Sequence, residues 1–132
     1  MKILQPEGWP KPKGYANGIA ARGTVISIAG QIGWDIHEKL VSEDFVGQTK
    51  QALLNIRSIL FEAGAEPENL VRLTWYVLDK REYLENLKAI GEAYRQVFST
   101  HYPAMSLIQV AGLLEDGAKV EIEATAVIPD KP

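Results

Sequence analysis

Residues 119–128 read KVEIEATAVI, and the alternation of this stretch decides the fold class. Every second side chain is apolar: Val120, Ile122, Ala124, Ala126 and Ile128. The side chains between them start with Glu121, Glu123 and Thr125. A period of two is typical of a strand whose one face packs on a core while the other does not. The stretch therefore predicts a sheet that is covered by helices on a single face.

Two amphipathic helices precede this strand in the sequence. Asp44 is placed to cap the first, whose apolar residues recur every three or four positions as far as Gly64. Asp79 begins the second, which ends before Pro103. We predict that its apolar stripe consists of Leu84, Leu87, Gly91, Tyr94 and Phe98. Between the helices, residues 70–78 (LVRLTWYVL) are rich in β-branched and aromatic side chains and predict a strand.

The remaining segments complete a ββ-α-β-α-ββ order. Residues 1–14 are rich in proline and glycine and predict an extended N-terminal arm. Residues 15–21 and 24–29 are joined by a glycine-containing pair and predict a β-hairpin. Residues 104–111 predict a strand that is largely apolar on both faces. We therefore expect one α+β domain over residues 1–132, with a single mixed sheet, two helices on one face, and a second subunit on the uncovered face.

Composition excludes several classes of protein. The chain of 132 residues is 46% hydrophobic and 23% charged, which is ordinary for one globular domain. It contains no cysteine, no apolar run long enough to span a bilayer and no apolar segment typical of a secretory signal. A cytoplasmic location is therefore expected. The net charge of −3 and the absence of a basic, aromatic strip argue against a nucleic-acid partner.

Six short motifs together resemble the RidA/YjgF superfamily of reactive-intermediate (enamine/imine) deaminases, also known as L-PSP proteins. They are GYANG at 14–18, IAGQI at 28–32, the helix predicted over 51–64 with EAGA at 62–65, the strand 71–77 followed by Asp79, YPAMS at 102–106, and VEIEA at 120–124. The resemblance implies a chorismate-mutase-like α+β fold and a homotrimer with ligand clefts between its subunits. It also implies hydrolysis of enamines and imines to ketoacids and ammonia.

The chain departs from the superfamily at positions that bind the substrate. The arginine that clamps the substrate carboxylate is replaced by Met105, and the cysteine that often follows two positions later is replaced by Leu107. A serine is replaced by Ala29, and an asparagine of the second helix by Lys88. An arginine fork donates two charge-assisted hydrogen bonds, whereas methionine donates none. We therefore expect a ligand that is larger, more apolar, or carries its anion elsewhere.

Two positions of the site do match the superfamily, Tyr15 and Glu121. Glu121 is the candidate general acid/base, and we expect it to lie near Met105 and Leu107; the alternative is an exposed strand carboxylate. Tyr15 would stack on a planar ligand or donate a hydrogen bond, unless it is a loop aromatic packed on the core.

Three further residues have two interpretations each. Lys88 either faces the cleft and supplies the missing charge or is a solvated helix residue. Trp34 forms either a ligand wall or a subunit contact, and His101 is either a turn residue or a cleft acid/base. Two histidines without cysteine make a structural zinc site improbable, and we expect neither a metal nor a cofactor.

Two functions agree with these residues. The first is a RidA-like hydrolytic deaminase of an enamine, imine or related reactive metabolite, with a pocket altered away from small α-carboxylate imines. The alternative is a non-catalytic trimeric protein that binds a small molecule in the same inter-subunit cleft.

Overall fold

A computed structural model describes residues 1–131 of the chain; Pro132, the last residue of the predicted domain, lies outside them. The strands are β1 (Lys2–Leu4), β2 (Gly18–Ala20), β3 (Gly23–Gln31), β4 (Leu70–Val77), β5 (Ala104–Gln109) and β6 (Val120–Pro129). The helices are α1 (Phe45–Glu62), α2 (Lys80–Glu85) and α3 (Leu87–Phe98), and a short 3-10 turn (Pro67–Asn69) precedes β4. Among the helices of residues 1–131, none is long and apolar enough to cross a membrane.

The main sheet is mixed and has the strand order β3-β6-β4-β5. β6 pairs antiparallel with both β3 and β4, whereas β4 and β5 run parallel. The core lies on one face of this sheet, where apolar residues of α1, such as Leu53 and Ile56, and of α3, such as Phe98, are buried with those of the strands. The predicted α+β architecture, a single mixed sheet with helices on one face, is confirmed.

The register of the strands assigns each side chain to a face. Val120 and Ile122 of β6 lie opposite Val77 and Trp75 of β4, and all four are buried beneath the helices. Residues 121, 123 and 125 alternate with them and lie on the helix-free face, as the alternation of residues 119–128 predicted. Along β5, Met105 and Leu107 lie opposite the buried Leu73 and Trp75, so they belong to the helix-covered face.

Helix α1 begins and ends where the sequence predicts. The Asp44 side chain accepts a hydrogen bond from the Gly47 amide at 2.9 Å, which satisfies one free donor of the first turn. Gly64 follows the helix with φ of +71°, a left-handed conformation that favours glycine. Pro67 then stands in the 3-10 turn that leads into β4.

The predicted hairpin between residues 15–21 and 24–29 is wrong. β2 pairs antiparallel with β1, so residues 2–4 of the predicted extended arm form a strand. β3 instead pairs along β6, from Gly23 opposite Pro129 to Gln31 opposite Ile122. The long pairing buries Ile28 in the core, and a hairpin with the three-residue β2 offers no comparable burial.

The second predicted helix is broken at Asn86, which separates α2 from α3. The Asn86 side-chain amide donates to the Glu82 carbonyl at 2.7 Å, a local bond that competes with the helical ladder. The predicted stripe is therefore partly wrong, because Leu84 and Leu87 flank the break and are exposed. Helix α3 instead buries Ile90, Ala93, Tyr94, Val97 and Phe98.

Candidate functional site

A cleft of about 240 Å³ opens at the β5 edge of the sheet, and we call it the β5 cleft. It is lined chiefly by Lys13, Tyr15, Trp75, Tyr83, Met105 and Leu107. Three of the residues predicted to bind a ligand, Tyr15, Met105 and Leu107, therefore meet at one place. They come from the N-terminal segment and from a strand that is distant in sequence, so only the fold brings them together.

The backbone next to Tyr15 is anchored to the start of β5. The Ala16 amide donates to the Pro103 carbonyl at 3.0 Å, and Ala16 forms a parallel bridge with Ala104. Gly14 has φ of +75°, which turns the chain out of the arm immediately before Tyr15. Tyr15 itself stays 41% exposed, so the phenol is accessible from the solvent side of the cleft.

Trp75 forms the inner wall of the β5 cleft and is 3% exposed. Its ring meets Tyr83 edge-on, with centroids 6.1 Å apart. Burial raises the pKa of the Tyr83 phenol. Within residues 1–131 the indole N–H of Trp75 has no hydrogen-bond acceptor. Together with Met105 and Leu107, these rings make the wall of the cleft largely apolar.

Glu121 lies on the other face of the sheet from the β5 cleft. Its register partner on β4 is Tyr76, whose neighbours Trp75 and Val77 point to the helices. The expectation that Glu121 lies near Met105 and Leu107 is therefore wrong within one chain. Successive side chains of a strand point to opposite faces of the sheet. Met105 points to the same face as its register partner Leu73 and as Trp75, whereas Glu121 points to the opposite face.

A β-bulge brings Gly30 against the Glu121 carboxylate. The β3–β6 register jumps between Ile28, which faces Ala124, and Gln31, which faces Ile122. Such an extra residue bends its strand and redirects the side chains beside it. A Cβ atom on Gly30 would overlap the Glu121 carboxyl group, so the absence of a side chain at position 30 makes room for that carboxylate.

The helix-free face around Glu121 carries further polar groups. The Tyr76 hydroxyl donates to a Glu123 carboxylate oxygen at 2.6 Å, and this bond raises the pKa of the tyrosine. Arg72 donates to the Ser106 hydroxyl at 3.4 Å. Glu123 is therefore bonded within the chain, whereas no side-chain hydrogen bond or ion pair to Glu121 is found within residues 1–131.

Trp34 and Lys88 do not line the β5 cleft. Trp34 is half-buried in the loop after β3, where it bridges Leu40 and accepts a hydrogen bond from the Asn55 side chain on its carbonyl. Lys88 is exposed on α3. Because a cleft between subunits would include residues of a second chain, the ligand-binding roles of Trp34 and Lys88 stay predictions.

His101 is held in the turn before β5. Its Nε2 lies 2.8 Å from the Leu70 carbonyl oxygen, and since a carbonyl can only accept, Nε2 carries the proton. His101 also lines a second hollow, described next. No group of three or more potential metal ligands occurs within residues 1–131.

A second hollow of about 510 Å³ lies beneath the N-terminal arm, and we call it the arm groove. Its main lining side chains are Ile3, Trp9, Lys11, Tyr15, His101 and Tyr102. The sequence reasoning missed this hollow, and it missed Lys13 and Tyr83 in the β5 cleft. The prolines and glycines of residues 1–14 predicted an extended arm. In the structure β1 pairs with β2 and folds this arm back, and the sequence pattern did not indicate that pairing.

The architecture and the edge cleft define a class of small α+β proteins, and comparison with known proteins identifies the family. The family model described as Endoribonuclease L-PSP matches residues 10–128. The 2-iminobutanoate/2-iminopropanoate deaminase of Salmonella typhimurium is 33% identical over 130 residues, which is 96% of this chain and 97% of the relative. The human protein of the same name is 38% identical over 103 residues, 77% of this chain and 72% of the relative.

Among solved structures, a conserved Rid-family protein of unknown function from Yersinia pestis matches with a TM-score of 0.84. It is 32% identical and covers 96% of this chain and 98% of its own. The chain therefore belongs to the L-PSP family, which is the RidA/YjgF superfamily of reactive-intermediate deaminases.

Proposed function

We propose that the protein is a hydrolytic deaminase of an enamine, an imine or a related reactive metabolite, with a pocket altered away from small α-carboxylate imines. The observation that carries this proposal is the convergence of Tyr15 and the residue at position 105 in the β5 cleft. The relatives named deaminases make this chemistry the first expectation for such a cleft.

The proposed change of substrate, away from small α-carboxylate imines, depends on the side chain at position 105. Met105 has a thioether and no charge, and it packs partly against the core below the cleft. Loss of a charged hydrogen-bonding partner typically costs about 2–5 kcal/mol, and every ~1.4 kcal/mol is tenfold in affinity. A small imine whose only anchor is an α-carboxylate should therefore bind weakly beside Met105.

The proposed active site needs a second copy of the chain. Glu121 and Met105 lie on opposite faces of one sheet, so one chain alone cannot present both to the same small molecule. A homotrimer with clefts between subunits would bring Glu121 of one copy to the β5 cleft of the next. The helix-free face around Glu121 is also the face on which the sequence predicts a contact with a second subunit.

In this proposal Glu121 is the general acid/base and Tyr15 positions the substrate. Glu121 takes a proton from water as the water oxygen attacks the carbon of the protonated imine, and the C=N π electrons move to nitrogen, which gives a neutral carbinolamine. The nitrogen is then protonated, the C–N bond breaks with its electron pair going to nitrogen, and ammonia leaves. The hydroxyl proton is lost as the carbonyl forms, so one imine and one water yield one ketone and one ammonia.

The second candidate function is a non-catalytic trimeric protein that binds a small molecule. Met105 favours it, because a chain that has lost the carboxylate clamp of its relatives retains a cleft without the usual substrate anchor. The two candidates differ in what Glu121 does. A deaminase needs its carboxylate for turnover, whereas a binding protein needs it at most for affinity.

The deciding experiment measures ammonia release from freshly generated imines and enamines, some with and some without an α-carboxylate. We expect the wild-type protein to accelerate at least one of them over buffer and Glu121→Gln to abolish that acceleration. Glu123→Gln is the matched control, because Glu123 is two residues away on the same face and is bonded to Tyr76. No acceleration with any substrate would contradict the deaminase and favour the binding protein.

A further inference from the structure

The β5 cleft and the arm groove share part of their lining at the segment that connects the arm to the sheet. Gly14 and Tyr15 line both hollows, so the Tyr15 ring stands between them. A ligand in contact with Tyr15 therefore has both hollows beside it.

The lining of the combined space has a clear charge preference. Lys13 lines the β5 cleft, and Lys11 and His101 line the arm groove. No aspartate or glutamate belongs to either lining. Neither lysine forms an ion pair within residues 1–131, so both ammonium groups are available to a ligand. This distribution is complementary to an anion.

The arm groove also offers apolar surface for a ligand side chain much larger than the ethyl group of 2-iminobutanoate. Trp9 is 58% exposed and lies there with Tyr102, whose ring stacks on Tyr94 with centroids 5.1 Å apart. Exposed indole and phenol rings around a hollow are typical of sites for planar or apolar ligand groups.

The arm that carries these groups is fixed rather than trailing. The Gln5 side-chain amide donates to the carbonyls of Trp9 and Pro10, each at 3.2 Å, and its oxygen accepts from the Asn17 side chain at 2.9 Å. Together with the β1–β2 pairing, these bonds fix residues 2–10 of the arm against residues 17–20. The groove is therefore a built feature of the fold.

We propose that the two hollows form one binding site for a carboxylate-bearing small molecule with an aromatic or similarly bulky apolar side chain. The carboxylate is met by Lys13, on the arm, and the side chain extends past Tyr15 towards Trp9 and Tyr102. Position 105 on β5 carries no charge in this chain, so the arm supplies the positive charge of the site. This inference rests on the proposed function, because it names the substrate class of the same site.

The test uses direct binding of unreactive 2-oxo acids, so it does not depend on turnover. Titration calorimetry compares phenylpyruvate, 2-oxobutanoate and the uncharged 1-phenylpropan-2-one on the full-length protein. We expect phenylpyruvate to bind at least tenfold more tightly than either of the others. 2-Oxobutanoate lacks the ring, and the ketone lacks the carboxylate.

Two exposed substitutions assign the contacts without endangering the fold. Lys13→Gln should weaken phenylpyruvate about tenfold and leave the ketone unchanged. Trp9→Ala should weaken phenylpyruvate and the ketone but leave 2-oxobutanoate unchanged. Lys50→Gln is the matched control, because Lys50 is an exposed lysine on α1 that lines neither hollow.

Equal binding of all three probes, or a Lys13→Gln protein that binds phenylpyruvate as well as wild type does, would overturn the inference. Its failure is distinguishable from failure of the proposed function. Lys13-dependent binding of phenylpyruvate without ammonia release from any imine would refute the deaminase and support the site. Ammonia release from an imine that lacks an α-carboxylate, with no measurable phenylpyruvate binding, would support the deaminase and overturn the combined site.

Discussion

At the scale of single residues, Met105 is the position where one substitution can restore the arginine that the family resemblance implies. Its side chain borders the β5 cleft and is only partly buried, so a longer polar side chain can extend towards the cleft opening. We predict that Met105→Arg raises kcat/KM for small α-carboxylate imines by tenfold or more, because the guanidinium fork would again bind the carboxylate. Ammonia release at low substrate concentration measures it.

The control for this gain of function is Met105→Lys. Lysine brings the same charge without the planar fork, so it should recover less of the activity than arginine. Equal rates for wild type and Met105→Arg on carboxylate imines would contradict the proposal that position 105 sets the substrate class.

Gly30 is a second residue whose role follows from contact geometry. An alanine methyl group there would force the Glu121 carboxylate to move, whereas the backbone of β3 has no positive φ at this position. We predict that Gly30→Ala lowers turnover about a hundredfold, since Glu121 is the proposed acid/base and small displacements of such a group have effects of that size. Unfolding in urea should show a change of about 1 kcal/mol or less.

Gly112→Ala provides the matched comparison for Gly30→Ala. No atom lies within 4 Å of the position that its Cβ would occupy, so both stability and turnover should stay at wild-type values. If Gly30→Ala retained full turnover, the Glu121 carboxylate would not need the position it has in the structure.

At the scale of elements, the sequence predicted those whose signals are local. The Asp44 cap, the spacing of α1 and Gly64 are read within a single segment, and all three are confirmed. The pairing of β1 with β2 and the long β3–β6 ladder depend on which strand offers the larger burial, and a local pattern cannot compare the two. The break at Asn86 was concealed because Leu84 and Leu87 keep helical spacing across it.

The link between α3 and β5 makes the stability of the fold sensitive to alkaline pH. The Tyr94 hydroxyl donates to the His101 carbonyl at 2.6 Å, and burial, with a smaller contribution from Tyr102, raises the pKa of Tyr94 well above 10. Above about pH 10 an unfolded tyrosine loses its proton while the native one keeps it. This part of the stability is therefore present below pH 10 and is lost as the pH rises further.

We predict that the free energy of unfolding falls less between pH 8 and pH 10.5 in Tyr94→Phe than in wild type. Urea titrations at the two pH values measure the difference. Val97→Ala is the control, because it removes buried apolar atoms from the same helix without a titratable group and should lower stability equally at both pH values. An identical pH dependence in Tyr94→Phe and wild type would contradict the assignment.

At the scale of the whole molecule, the site could be predicted only as a set of residue types. Resemblance to the family singled out Tyr15, Met105 and Glu121, and the structure brings the first two together. The separation of Glu121 from them follows from sheet register, which a motif does not contain. Lys13 was missed because a lysine in a proline-rich arm has no pattern that ties it to a distant strand.

The separation of Glu121 from the β5 cleft leads to a prediction about mixed oligomers. If each site combines Tyr15 of one copy with Glu121 of the next, Glu121→Gln and Tyr15→Ala should complement each other. In a ring assembled at random from equal amounts of the two variants, about a quarter of the sites contain both wild-type side chains. Co-refolded mixtures should therefore regain about a quarter of wild-type ammonia release, although each variant alone is inactive.

The same variants mixed after separate folding, without subunit exchange, are the control and should stay inactive. A co-refolded mixture that is equally inactive would mean that no site draws Tyr15 and Glu121 from different copies, and the inter-subunit site would have to be abandoned.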